Sequence, residues 1–88
     1  MLVKTQEQIG EFVEMLVKEI AENPEDVSVD VSQSQENELY VEVTANSADY
    51  GQIIGKSGRT IKAIRTLTRA VASDMDYRIE IELAAEGK

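Results

Sequence analysis

Residues 51–58 read GQIIGKSG, a string open to two phosphate-handling interpretations. One is a nucleotide-binding P-loop, G-x-x-x-x-G-K-[ST], in which four residues between the glycines let the loop wrap its amides around phosphates. Only Gln52, Ile53 and Ile54 separate Gly51 from Gly55, so the motif is one residue short. A P-loop also follows a buried strand directly, whereas a short helical segment is expected here, and no later strand ends in a metal-binding aspartate. G-x-x-x-G-x-x-G is not a dinucleotide fingerprint either.

The other interpretation keeps only Gly55, Lys56, Ser57 and Gly58, as a tight turn between two helices. Glycine at both ends permits positive φ and lets a phosphodiester approach without a Cβ in the way. The amides beyond the turn open a helix whose N-terminus carries partial positive charge and unsatisfied donors, which suits an anion. Lys56 adds a mobile charge at the tip. Taken alone, two glycines three residues apart describe a plain helix-turn-helix corner equally well.

The flanking residues shift that balance. From Tyr50 to Ser73 the chain carries Lys56, Arg59, Lys62, Arg65 and Arg69 and no carboxylate, although the whole protein has net charge −8. Residues 1–50 hold two lysines against twelve acids. At about 100° per residue, Arg59, Lys62, Arg65 and Arg69 share one face of a helix, and Ile61, Ile64, Leu67 and Val71 share the other. A basic face beginning at the turn is where a strand held by its phosphates would pass.

Outward from the motif, Thr5 and Gln8 fit a capping box, and Ile9, Phe12, Val13, Leu16, Val17 and Ile20 recur at helical spacing until Asn23-Pro24 stops the helix. Val27, Val29 and Val31, then Leu39, Val41 and Val43, alternate with polar residues as half-buried strands do, and the polar run SQSQENE joins them as an antiparallel hairpin. Asn46, Ser47 and Asp49 are N-cap candidates for a short helical segment that Gly55 ends. A helix over 59–73 precedes a third alternating strand of Tyr77, Ile79, Ile81 and Leu83. The order α-β-β-α-α-β makes an α+β domain with helices on one face of a three-stranded sheet. One domain over 1–88 is expected, with its core at about 5–84 and a polar tail at 85–88.

With 88 residues, no histidine and no cysteine, the chain cannot build Cys/His zinc sites, cysteine nucleophiles or histidine bases. No catalytic residue, metal or cofactor is expected. The opening MLVKTQEQIG is too polar for a signal peptide, and no run of about 18 apolar residues could span a membrane. A cytoplasmic location follows as the expectation, with no membrane and no small-molecule substrate.

The run IIGKSGRTIKAIRTL at 53–67, the α-β-β-α-α-β order and the length together resemble the type II KH domain, in the form of the small single-domain bacterial KH proteins of the KhpA family. The resemblance covers nearly the whole chain. It implies a mixed sheet and single-stranded RNA binding, with Gly55, Lys56, Ser57 and Gly58 clamping the backbone of about four nucleotides. It implies base packing against Ile54 and Ile61, a second groove wall around Val41 to Val43, and phosphate contacts from Arg59, Lys62 and Arg65. Gln52 stands where the family commonly has a basic residue. Similar proteins associate with themselves and with a larger KH-containing partner of the KhpB type, and are linked to RNA chaperoning and to cell elongation and division. The competing expectation is a protein-interaction or dimerisation module of KH shape with little RNA affinity.

Overall fold

A computed structural model describes residues 3–84; the expected tail at 85–88 lies outside the described residues. The first helix, α1 (Gln6–Ile20), begins at the expected capping box: the Thr5 hydroxyl accepts from the Gln8 backbone N–H at 3.1 Å, and the Gln8 side chain accepts from Thr5 N–H at 3.2 Å. Those two bonds satisfy donors that the first helical turn leaves without partners. Pro24 opens a short 3-10 turn, Pro24–Asp26, that carries the chain to the sheet.

β1 (Ser28–Gln35) and β2 (Glu38–Thr44) form an antiparallel hairpin, and β3 (Arg78–Leu83) runs parallel to β2, giving a mixed sheet of order β1-β2-β3. The strands extend well into the SQSQENE run that was expected to be connection. Only Glu36 and Asn37 turn the chain, and the register shifts between Gln33 and Gln35. Serine and glutamine at the end of a hairpin have no core to fill, so the ladder continues past the half-buried Val31 on backbone pairing, helped by the Gln33 side chain, which donates to the Glu36 carbonyl at 2.7 Å.

The alternation puts Val29, Val31, Leu39, Val41, Val43, Ile79 and Ile81 on one sheet face, where α1 and α3 (Arg59–Val71) cover them. Gly10 lets α1 lie close on β1, because a Cβ there would stand 2.9 Å from a Val31 methyl. On α3 the buried set is Ile61, Ile64 and Thr68, while Leu67, expected on the apolar face, is 49% exposed. The helix is turned so that Thr68 takes the core position. Its hydroxyl donates to the Ile64 carbonyl at 2.7 Å, which removes the cost of burying it.

A second correction concerns Asp49. Its carboxylate does not cap the short helix α2 (Tyr50–Ile54); Asn46 caps the preceding turn instead, accepting from Ala48 N–H at 2.9 Å. Buried Asp49 accepts from the backbone N–H groups of Glu22 and Asn23, both at 3.0 Å, and from the Asn23 amide at 3.3 Å. It therefore ties the exit of α1 to the entry of α2. Burial by itself would raise the Asp49 pKa, but these hydrogen bonds to the ionised form outweigh it and hold the carboxyl below its ordinary 3.8. A depressed folded-state pKa contributes stability above the unfolded-state value and loses it as pH falls through the folded value. Asp49→Asn is accordingly expected to melt below the parent at pH 7. The gap should narrow once pH drops below about 4, as followed by circular dichroism across that range.

Candidate nucleic-acid interface

The GKSG turn is held both by its neighbours and by its own glycines. A five-residue helix is far too short to be stable alone, yet α2 is pinned by fully buried Ile53 and by the Tyr50 hydroxyl, which donates to the Ala84 carbonyl at the end of β3. Gly55 ends α2 with its N–H on the Gly51 carbonyl at 2.8 Å, and Gly58 N–H returns to the Gly55 carbonyl at 3.0 Å. Gly55, Ser57 and Gly58 all have positive φ, at 79°, 57° and 76°. Three such residues in four throw the chain into a sharp corner from which α3 starts.

The two glycines are needed for different reasons. At Gly55 a Cβ would lie 2.3 Å from the Thr60 hydroxyl and 2.7 Å from the Thr60 backbone nitrogen, whereas at Gly58 it would meet nothing within 4 Å. Gly55 is required by both its backbone angle and its lack of room, and Gly58 by its backbone angle alone. Gly51 sits exposed in α2 with open space around it. Its replacement by alanine is expected to stabilise the protein by up to about 1 kcal/mol, the helix-propensity difference, with RNA affinity unchanged. Thermal melts and RNA titrations of Gly51→Ala check this, and separate GKSG from the longer P-loop-like string.

The expected cations divide into two groups. Lys56, Arg59 and Lys62 are exposed and make no hydrogen bond or ion pair among the described residues. Arg65 and Arg69 are engaged: Arg65 donates through Nε and Nη2 to the Ile81 carbonyl at 3.3 and 3.1 Å, and Arg69 likewise to the Ile79 carbonyl at 3.2 and 2.9 Å. Both clamp the outer edge of β3. The basic face of α3 is thus half free charge and half structural tie, a division invisible in the helical wheel because it depends on where β3 packs.

Ile54 is 40% exposed beside the turn, while Ile61 is 8% exposed and belongs to the core. Val41 and Val43 are wholly buried on the central strand, so their side chains cannot form the expected second wall of an open groove. A strand flanked on both edges and covered by helices has no apolar face left to offer. Among the described residues, no group of histidine, cysteine or acidic side chains is placed to hold a metal, and no helix is long and apolar enough to cross a membrane.

Comparison with known proteins bears on the family and the fold. Residues 10–83 match the family model described as KhpA/KhpB, KH domain. The RNA-binding protein KhpA of Chlamydia trachomatis is 42% identical over 76 residues, spanning 86% of this chain and 96% of its own. KhpA of Clostridium perfringens is 36% identical over 73 residues, spanning 83% and 96%. Among solved structures, Era in complex with MgGDPNP and a segment of 16S ribosomal RNA superposes with a TM-score of 0.66 at 19% identity, over 97% of this chain and 32% of that one. That last likeness concerns the fold alone.

Proposed function

The chain belongs to the KhpA/KhpB KH-domain family, a family of RNA-binding rather than catalytic proteins, and from that premise we propose that it binds single-stranded RNA by clamping the phosphate backbone at Gly55–Gly58. The observation that carries the proposal is the set of three free cations, Lys56, Arg59 and Lys62, around a corner whose Gly58 side is sterically open at the start of α3. A helix N-terminus and unpaired cations converge there, and no carboxylate intervenes between residues 50 and 73.

Within this reading Gly55 and Gly58 shape the turn and Lys56 and Ser57 meet the phosphates. Arg59 and Lys62 extend the positive track, and Ile54 offers an apolar surface to a base. Ile61 supports the groove from beneath, and Arg65 contributes through the part of its guanidinium not spent on Ile81. Phosphate contacts position a ligand without reading its sequence, so one such module binds weakly and with little selectivity. RNA chaperoning in the cytoplasm, together with a larger KH-containing partner, is the setting that suits those properties. Self-association is the second reading, favoured by the exposure of Leu67 on α3.

The test is fluorescence anisotropy with a short single-stranded RNA, comparing the parent with Lys56→Asp/Ser57→Asp over a range of salt. Neutralising three or four phosphates gives a log-log salt slope of about −2 to −3 for the parent. A folded double variant with unchanged affinity would place the binding elsewhere.

A further inference from the structure

The two edges of the sheet are finished differently. On β3 the guanidinium groups of Arg65 and Arg69 occupy the outward carbonyls of Ile81 and Ile79. On β1, every second residue also turns its N–H and C=O outward, but among the described residues no group from outside the sheet hydrogen-bonds to the backbone of residues 28–34. Natural proteins cover or blunt such edges. This one covers β3 and leaves β1 bare.

Beside the bare edge runs a groove of about 370 Å³ between α1 and β1. Its floor is the half-buried pair Val29 and Val31, and its helical wall is Gly10 with Glu7, Glu11 and Glu14. Gly10 is the tight part of the helical wall, since a Cβ there would already press on Val31. At the hairpin end it is closed by Gln6, whose amide donates to the Gln33 side chain at 2.8 Å. Lys18 pairs with Glu14 at 2.8 Å, leaving Glu7 and Glu11 without a cationic partner among the described residues. The opposite sheet face adds to the same sign: Asp30, Glu42 and Glu82 lie in one row across the three strands.

We propose that the β1 edge and the flank of α1 take a lysine- or arginine-rich extended segment of a partner protein as a fourth strand. Main-chain pairing would supply the common affinity and alternate side chains the selectivity. On the inner side, the aliphatic stems of lysine or arginine would cover Val29 and Val31 while their charges reach Glu7 and Glu11. A second copy of this chain is disfavoured, because pairing β1 with β1 would bring the two acidic flanks, Glu7 and Glu11 of each α1, toward one another. RNA is disfavoured by the same acids. Since β1 and β3 are opposite edges, the peptide would bind on the flank away from the basic helix.

The probe is a fluorescein-labelled, end-blocked octapeptide alternating lysine and threonine, with two controls: the same peptide N-methylated at every backbone nitrogen, and its glutamate-threonine counterpart. At low salt the lysine peptide should bind and slow amide exchange within residues 29–33. The N-methylated peptide and the Glu7→Gln/Glu11→Gln variant should each lower affinity at least about tenfold, or roughly 1.4 kcal/mol, with RNA binding of the variant retained. The glutamate peptide should not bind. Lack of binding, equal binding of the two lysine peptides, indifference to Glu7 and Glu11, or protection elsewhere than β1 overturns the proposal. None of these outcomes bears on the RNA site, because its loop variant Lys56→Asp/Ser57→Asp should still take the peptide.

Discussion

Gly55→Ala is expected to lower stability by about 2–6 kcal/mol, the largest effect of any single substitution in the loop. Two penalties add. At φ 79° and ψ 169° the backbone occupies a region that is essentially reserved for glycine, which costs a side chain about 1–3 kcal/mol. The new Cβ also meets Thr60 at its hydroxyl, Cβ and backbone nitrogen, all within 2.7 Å, and such overpacking adds about 1–3 kcal/mol. Thr60 cannot swing aside, because one of the three obstacles is main chain. For a domain of this length the loss corresponds to a melting temperature lower by roughly 10–45 °C. Gly58→Ala should cost only about 1 kcal/mol, the ordinary penalty of a left-handed residue with open space around it. Differential scanning calorimetry of the two variants measures both. Equal losses would mean that the two glycines do the same structural job; a large loss at Gly55 and a small one at Gly58 means that the fold depends chiefly on Gly55. RNA titration of the stable Gly58→Ala protein then reads the part of Gly58 in binding without interference from unfolding.

How far the sequence carried the fold depends on whether a feature is local. The Thr5 cap, the valine alternation and the position of Gly55 at the end of α2 are set within a few residues, and each appears where expected. The polar half of the hairpin is strand rather than connection because alternation reports burial, and a strand that leaves the core keeps its ladder without keeping the pattern. Thr68 replaced Leu67 in the core because a wheel ranks residues by apolarity, whereas the phase of α3 is fixed by packing against the sheet. Asp49 looks like a helix cap in one dimension, and only the return of α1 beside it reveals the two backbone donors it serves. Arg65 and Arg69 show the same limit at the binding face: their charge was legible, but their commitment to β3 was not.

That commitment makes the loop cations the decisive ones for RNA. In Lys56→Asp/Ser57→Asp one positive charge is removed and two negative charges are added, a local change of three. On the single-strand counterion relation, the lost Lys56 contact costs about 0.7 of a decade per decade of salt, or about fivefold in affinity at 0.1 M salt, and repulsion of the phosphates by the two new carboxylates brings the loss to at least about tenfold. The salt slope should flatten by about 1 at the same time, which distinguishes a lost phosphate contact from a damaged fold. The fold should survive, since both positions are exposed and the left-handed φ of Ser57 is one that aspartate tolerates better than most residues. The loss should be alike for RNAs of different sequence, as expected for contacts that position a strand rather than read it. A variant whose loss depended strongly on base sequence would shift the assignment from Lys56 and Ser57 as phosphate ligands to a role in base contact beside Ile54.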